Sequence, residues 1–177
     1  VYSQEQFLHL YPTNIPTFVI PNAIHLKMIE EVSPFKLEEA FKGKTIWTTK
    51  IYSNDRIRSL DNINYFLRNY HNNDENILLV TGKKPDKEML ELFSREDGTF
   101  AFDNIFFLGK LPWPVFVSIL KVSSKYIHLK YFDDCPLAIL EAQYCNCDIV
   151  FADSGPIKEH VKKGTSIKDT CKLSQKT

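Results

Sequence analysis

Two carboxylates eight positions apart, Asp133 and Glu141, stand on either side of Pro136 in the stretch FDDCPLAILEAQYCNCDIVFADSG. A proline suits the first turn of a helix, where its missing N–H would lack a partner anyway. Residues 136–145 therefore read as a helix, with the amides of Leu137 and Ala138 pointing outward beside the positive end of its dipole. Such a place seats phosphate oxygens. Two carboxylates there repel a phosphate, unless they accept hydrogen bonds from hydroxyls on either side of it, as a ribose and a sugar provide. The plainer reading makes Asp133 or Asp134 a helix cap, worth about 0.5–2 kcal/mol, and Glu141 an exposed helix residue. The apolar neighbours in PLAILEAQYC weigh against it, because a charge among them needs partners.

A second group of charged residues follows the apolar run TIWTTKI. Lys50, Arg56 and Arg58 lie in or beside the polar segment SNDRIRS, with Ser53 and Asn54 between them. Cations at the mouth of a parallel sheet stabilise a phosphate or diphosphate; a solvated basic loop has the same composition. Both readings stand on these residues alone.

The elements that must position these groups are legible from residue 45 onward. Continuous apolar runs predict strands over 45–51, 77–81, 105–108, 126–129 and 148–152. Helical periodicity predicts a helix through Leu60, Ile63, Phe66, Leu67 and Tyr70, and further helices over 86–93, 113–122, 136–145 and 156–162. Strands that are apolar throughout belong in a sheet covered on both faces. Strict alternation with short links implies parallel strands and right-handed crossovers. The fold class is α/β, a doubly wound parallel sheet of about five strands, and ligands of such sheets bind beyond the carboxyl ends of the strands. Residues 1–44, punctuated by Pro12, Pro16, Pro21 and Pro34, read as a connector or the tail of another domain. The α/β domain occupies 45–163, and the polar stretch 164–177 reads as a frayed end.

Composition narrows the class. With 177 residues, 44% hydrophobic and 13% aromatic, the chain can bury a core. Its 22 Lys+Arg balance 22 Asp+Glu, without the basic excess that a nucleic-acid partner demands. No apolar run approaches the roughly 18–20 residues of a spanning helix. Cys135, Cys145 and Cys147 sit in or beside a buried helix and strand, which suits reduced thiols and a cytoplasmic setting. Cys145-x-Cys147 has no second pair at zinc spacing, so packing explains it better than a metal. His25, His71, His128 and His160 are scattered, and no Ser-His-Asp or Cys-His arrangement emerges.

Taken together, Asp133-x7-Glu141, the following Ala142 and Cys145, the strand DIVFAD and Gly155…Glu159 resemble the donor-site signature of retaining glycosyltransferases of the GT-B fold. The closer resemblance is to family 4 of those enzymes, with its Glu-x7-Glu and Asp-x-Gly-Gly. VIPNAIH (19–25), ILLVTGKKP and IFFLGKL resemble further segments of that family, in the family's order. The likeness runs over about residues 17–163 and implies a Rossmann-like domain, one half of a GT-B enzyme.

By that resemblance, Lys50 and Arg58 stand where the family holds the diphosphate, and Asp133 where it contacts the donor sugar, which makes these three the catalytic candidates. Glu141 stands at the ribose hydroxyls, the Leu137 and Ala138 amides at the phosphate, and Gly109 and Lys110 at the base. The implied partner is a nucleotide-diphosphate sugar, bound without a metal or other cofactor; no Gly-x-Gly-x-x-Gly supports a nicotinamide or flavin. The acceptor, a glycan, a lipid-linked molecule or another, would come with a missing N-terminal domain, which also leaves room for peripheral membrane association. Departures occur at Asp133 for Glu, Ser59 and Ala23 for Gly, and Pro156 for the second Gly. They keep open a competing reading: an α/β interaction module with a decayed donor site.

Overall fold

The computed structural model describes residues 8–10, 12–16, 22–51, 56–71, 73–130, 136–153 and 157–168, except for the side chains of 56–59. Six strands form one parallel sheet: β1 (Thr45–Ile51), β2 (Asn76–Gly82), β3 (Ile105–Gly109), β4 (Lys125–His128), β5 (Asp148–Ala152) and β6 (Gly164–Ile167). Their spatial order is β3-β2-β1-β4-β5-β6, so the winding reverses between β1 and β4. In sheets of this order the crevice outside that reversal point is where ligands sit.

Helices cover both faces, as continuous apolar strands require. On one face, α2 (Arg56–Tyr70) and α3 (Lys87–Glu91) bury Ile63, Phe66 and Met89 against Trp47, Leu78, Val80 and Ile127. On the other, α4 (Trp113–Leu120), α5 (Leu137–Tyr144) and α6 (Ile157–His160) bury Phe116, Leu120, Ile139 and Ile157 against Tyr126, Ile149 and Phe151. Neighbouring strand residues take opposite faces, Trp47 one and Ile46 the other, by the two-residue period of a strand. Burying each large side chain is worth about 1.5–3 kcal/mol. Asp86 caps α3, its carboxylate accepting from the Met89 amide at 2.9 Å.

Three differences from the sequence expectation bear on the site. The sheet has six strands rather than about five, because 164–167, read as part of a frayed tail, pair with β5 from Ile149↔Gly164 to Ala152↔Ile167. Four mostly exposed residues, GTSI, carry no apolar run to announce a strand; pairing with β5 makes it. A Cβ on Gly164 would lie 2.1 Å from the Ile149 carbonyl oxygen, so glycine permits the approach. Ahead of β1, α1 (Leu26–Glu31) buries Ile29, and Leu37 and Phe41 pack on Ile46, Leu79 and Ile119. That part of the expected connector belongs to the α/β core. Lastly, α2 begins at Arg56, which puts Arg58 in its first turn and not in a loop.

Helix α5 ends in a Schellman arrangement. Asn146 takes a left-handed conformation (φ 65°), its amide donates to the Gln143 carbonyl at 3.0 Å, and the Cys147 amide donates to Ala142 at 2.9 Å. The Cys147 thiol is buried and bonded to the Leu120 and Ser123 carbonyls, and burial pushes its pKa up to about 12. This thiol is a core element, as the sequence reading expected.

Candidate functional site

At the carboxyl edge, beside the β1/β4 reversal, lies a cleft of about 300 Å³. Lys50 reaches it from the end of β1, Thr81 and Gly82 from the end of β2, and Lys110 and Leu111 from the turn after β3. Trp113 and Phe116 come from the start of α4, and Leu137, Ala138 and Glu141 from the start of α5. Five elements thus bring their ends to one place. Threonine hydroxyls brace two of these strand ends: Thr81 donates to the Thr49 carbonyl at 3.0 Å, and Thr49 to the Ile127 carbonyl at 2.9 Å. Gly82 has φ +98°, and a Cβ there would stand 2.2 Å from the Ile51 carbonyl oxygen, so only glycine fits between the ends of β1 and β2.

Glu141 is the chemically unusual member. It is only 8% exposed, yet it is ionisable and faces an open cleft. Its Oε1 accepts from the Trp113 indole Nε1–H at 2.7 Å. Burial raises its pKa above the ordinary glutamate value, while the Trp113 hydrogen bond and the positive charge of Lys50 pull the other way. Lys50 itself is half-buried, its Nζ 5.5 Å from the centre of the Phe116 ring. A buried carboxylate, a lysine and an aromatic wall make a place for a ligand with hydroxyls and negative charge.

The α5 N-terminus borders the same cleft. Pro136 is the N-cap residue and provides no side-chain cap. The first amides to bond within the helix are those of Ile139 and Leu140, both to the Pro136 carbonyl. The amides of Leu137 and Ala138 precede that ladder, at the positive end of the dipole.

Of the residues singled out from sequence, Lys50, Lys110, Leu137, Ala138 and Glu141 meet in the one cleft. Gly109 ends β3 beside it, with φ +71° and the Lys84 side chain close by. Asp133, Asp134, Gly155 and Pro156 lie outside the described residues, as does the side chain of Arg58. Sequence reasoning did not find Trp113. The signal was present in LPWP: an indole N–H at a helix start between two prolines needs an acceptor, and Glu141 was the nearby charge in want of a partner. Among the described residues, no group of three or more His, Cys, Asp and Glu side chains is placed to hold a metal ion.

Comparison with known proteins bears on the family and the fold. The family model for Glycosyl transferases group 1 matches residues 26–170. No curated protein matches the sequence. Among solved structures, sucrose-phosphate synthase from Thermosynechococcus elongatus is similar over 97% of this chain and 45% of its own, at 16% identity and a TM-score of 0.66. WaaG, a glycosyltransferase involved in lipopolysaccharide biosynthesis, is similar over 76% of this chain and 37% of its own (13% identity, TM-score 0.57). HepE from Anabaena, in complex with UDP and glucose, is similar over 72% and 35% respectively (14% identity, TM-score 0.53). The chain thus spans less than half the length of each of these structures, and at such identities the likeness speaks for the fold.

Proposed function

The chain belongs to the group 1 glycosyl transferases, and from that premise we propose that it is the donor-binding half of a retaining glycosyltransferase of the GT-B type. Its ligand is a nucleoside-diphosphate sugar, and its acceptor sites lie with a partner domain. The observation that carries the reading is Glu141, a buried carboxylate with one hydrogen-bond donor among the described residues, lining one cleft with Lys50 and the first turn of α5. A carboxylate so placed accepts from the ribose hydroxyls, while the cation and amides hold the diphosphate. The structure of HepE with UDP and glucose supports this choice of ligand class, since it shares the fold.

In this reading the bond from the anomeric carbon to the diphosphate breaks with retention, through an oxocarbenium-like transition state. Negative charge grows on the departing phosphate. Lys50, Arg58 and the Leu137 and Ala138 amides stabilise it electrostatically, the role a divalent metal plays elsewhere. The resemblance assigns Gly109 and Lys110 to the base and Asp133 to the sugar. Catalysis follows from interactions stronger in the transition state than with the bound donor. A positive cluster on the leaving group meets that condition.

Calorimetric titration with UDP, GDP and ADP tests the reading. One of them is expected to bind, and Glu141→Ala to weaken it at least tenfold, the worth of a hydrogen bond to a charged group. Absence of binding by all three at millimolar concentration, with Glu141→Ala without effect, would leave the decayed-site module as the reading that holds.

A further inference from the structure

We propose that Trp113 is a positioning residue for Glu141: its indole N–H holds Oε1 and so leaves Oε2 as the oxygen that meets ligand hydroxyls in the cleft. The inference rests on the donor-site reading above and goes beyond it. An indole N–H only donates, so toward a carboxylate its one role is to hold an acceptor oxygen. The 2.7 Å bond joins the first turn of α4 to α5 across the cleft. Trp113 is half-buried and lines the same cavity as Glu141, so a ligand bound there meets both. Pro112 and Pro114 flank it and restrict the backbone that carries the ring.

A carboxylate with two free oxygens rotates and accepts water on both. One held by a fixed donor presents a single oxygen in one orientation, and the ligand has less disorder to overcome. Among the described residues, the charge that acts on Glu141 is that of Lys50 from β1, and Glu141 in turn raises the pKa of Cys145 one turn along α5. The alternative role for Trp113 is structural, pinning α4 to α5 and nothing more.

The two roles separate in one set of measurements. The protein has two tryptophans, and Trp47 is buried with its indole N–H on Asn76 Oδ1, so the two indole N–H resonances are distinguished by Trp113→Phe. In the free protein the Trp113 indole resonance should follow one protonation step, and Glu141→Gln should abolish that step. By calorimetry, Trp113→Phe should weaken UDP roughly tenfold. It should leave 2′,3′-dideoxy-UDP, which has no hydroxyls for Glu141, unchanged. Trp113→His, which keeps a ring N–H, should restore part of the loss. An equal loss for both nucleotides, or an indole resonance indifferent to Glu141, overturns the proposal in favour of the structural role. If Trp113→Phe fails to fold, the wild-type titration against Glu141→Gln decides. If wild type binds no nucleotide, the donor-site reading falls, and the indole titration still decides whether Trp113 holds Glu141.

Discussion

The two edges of the sheet treat their acidic residues in opposite ways. At the amino edge, Asp148 opens β5 with Lys163 Nζ at 2.6 Å and Lys125 Nζ at 3.9 Å. The Lys163 hydrogen bond leads in holding its pKa below the ordinary carboxylate value. Amides stitch the same edge: Trp47 donates to Asn76, and Asn104 donates to the carbonyls of Tyr70 and Asn76. At the carboxyl edge, Glu141 is more buried than Asp148, has one donor among the described residues, and has its pKa raised by that burial. Asp148 is ion-paired to two lysines within the fold; Glu141 is held by an indole and faces a cleft. A buried charge is costly to keep, and one beside a cleft is a candidate for function.

The comparison can be broken most severely at Glu141. Glu141→Gln keeps the shape and removes the charge, and nucleotide affinity should fall about 10–100-fold in calorimetry. The thermal midpoint should hold or rise, since a desolvated charge is gone; a lower midpoint with unchanged affinity would make Glu141 a structural residue like Asp148. Lys50→Met comes next, with about tenfold weaker binding and a shallower dependence on salt. Unchanged salt dependence would place the diphosphate elsewhere.

The pH dependence sharpens the contrast because the signs differ. Glu141 binds protons more tightly folded than unfolded. From its ordinary value of 4.5 up to its raised folded value, its contribution to stability therefore falls as pH rises. Nucleotide binding should strengthen over the same interval, as the carboxylate ionises. Asp148, depressed by its lysines, contributes stability above its ordinary value of 3.8 that is lost as pH falls through the folded value. Against wild-type melting curves over pH, which carry both slopes, Glu141→Gln and Asp148→Asn should each lose one; variant curves parallel to wild type would refute the assignment. The smallest effect is that of Asp148→Asn at neutral pH. Its side chain is 36% exposed, so the pairs are screened, and the cost should stay below about 1 kcal/mol with nucleotide affinity unchanged.

Much of this was readable in the order of residues. Strands β1 and β5 coincide with the apolar runs that announced them, because a strand covered on both faces has to be apolar throughout. Lys50 and Glu141 were suspect on type and setting, and both reach the cleft. Helix α2 was found, but its start at Arg56 was not: the segment's polarity suggested a loop, and polarity does not separate a loop from the first turn of a helix. Strand β6 escaped for a related reason, since GTSI acquires its conformation from hydrogen bonds to β5 rather than from its own side chains.

What the sequence by itself determined is the alternation of apolar strands and amphipathic helices, and so a parallel sheet with its loops gathered at the carboxyl edge. Periodicity is local, and a few residues suffice to express it. What only the tertiary structure decided is which loops meet: the order β3-β2-β1-β4-β5-β6, the cleft at its reversal, and the Trp113 indole on Glu141, 28 residues apart. That pairing depends on how α4 and α5 lie over the sheet. A hydrogen bond needs its atoms within about 3 Å and in line, a condition that only the packed chain meets.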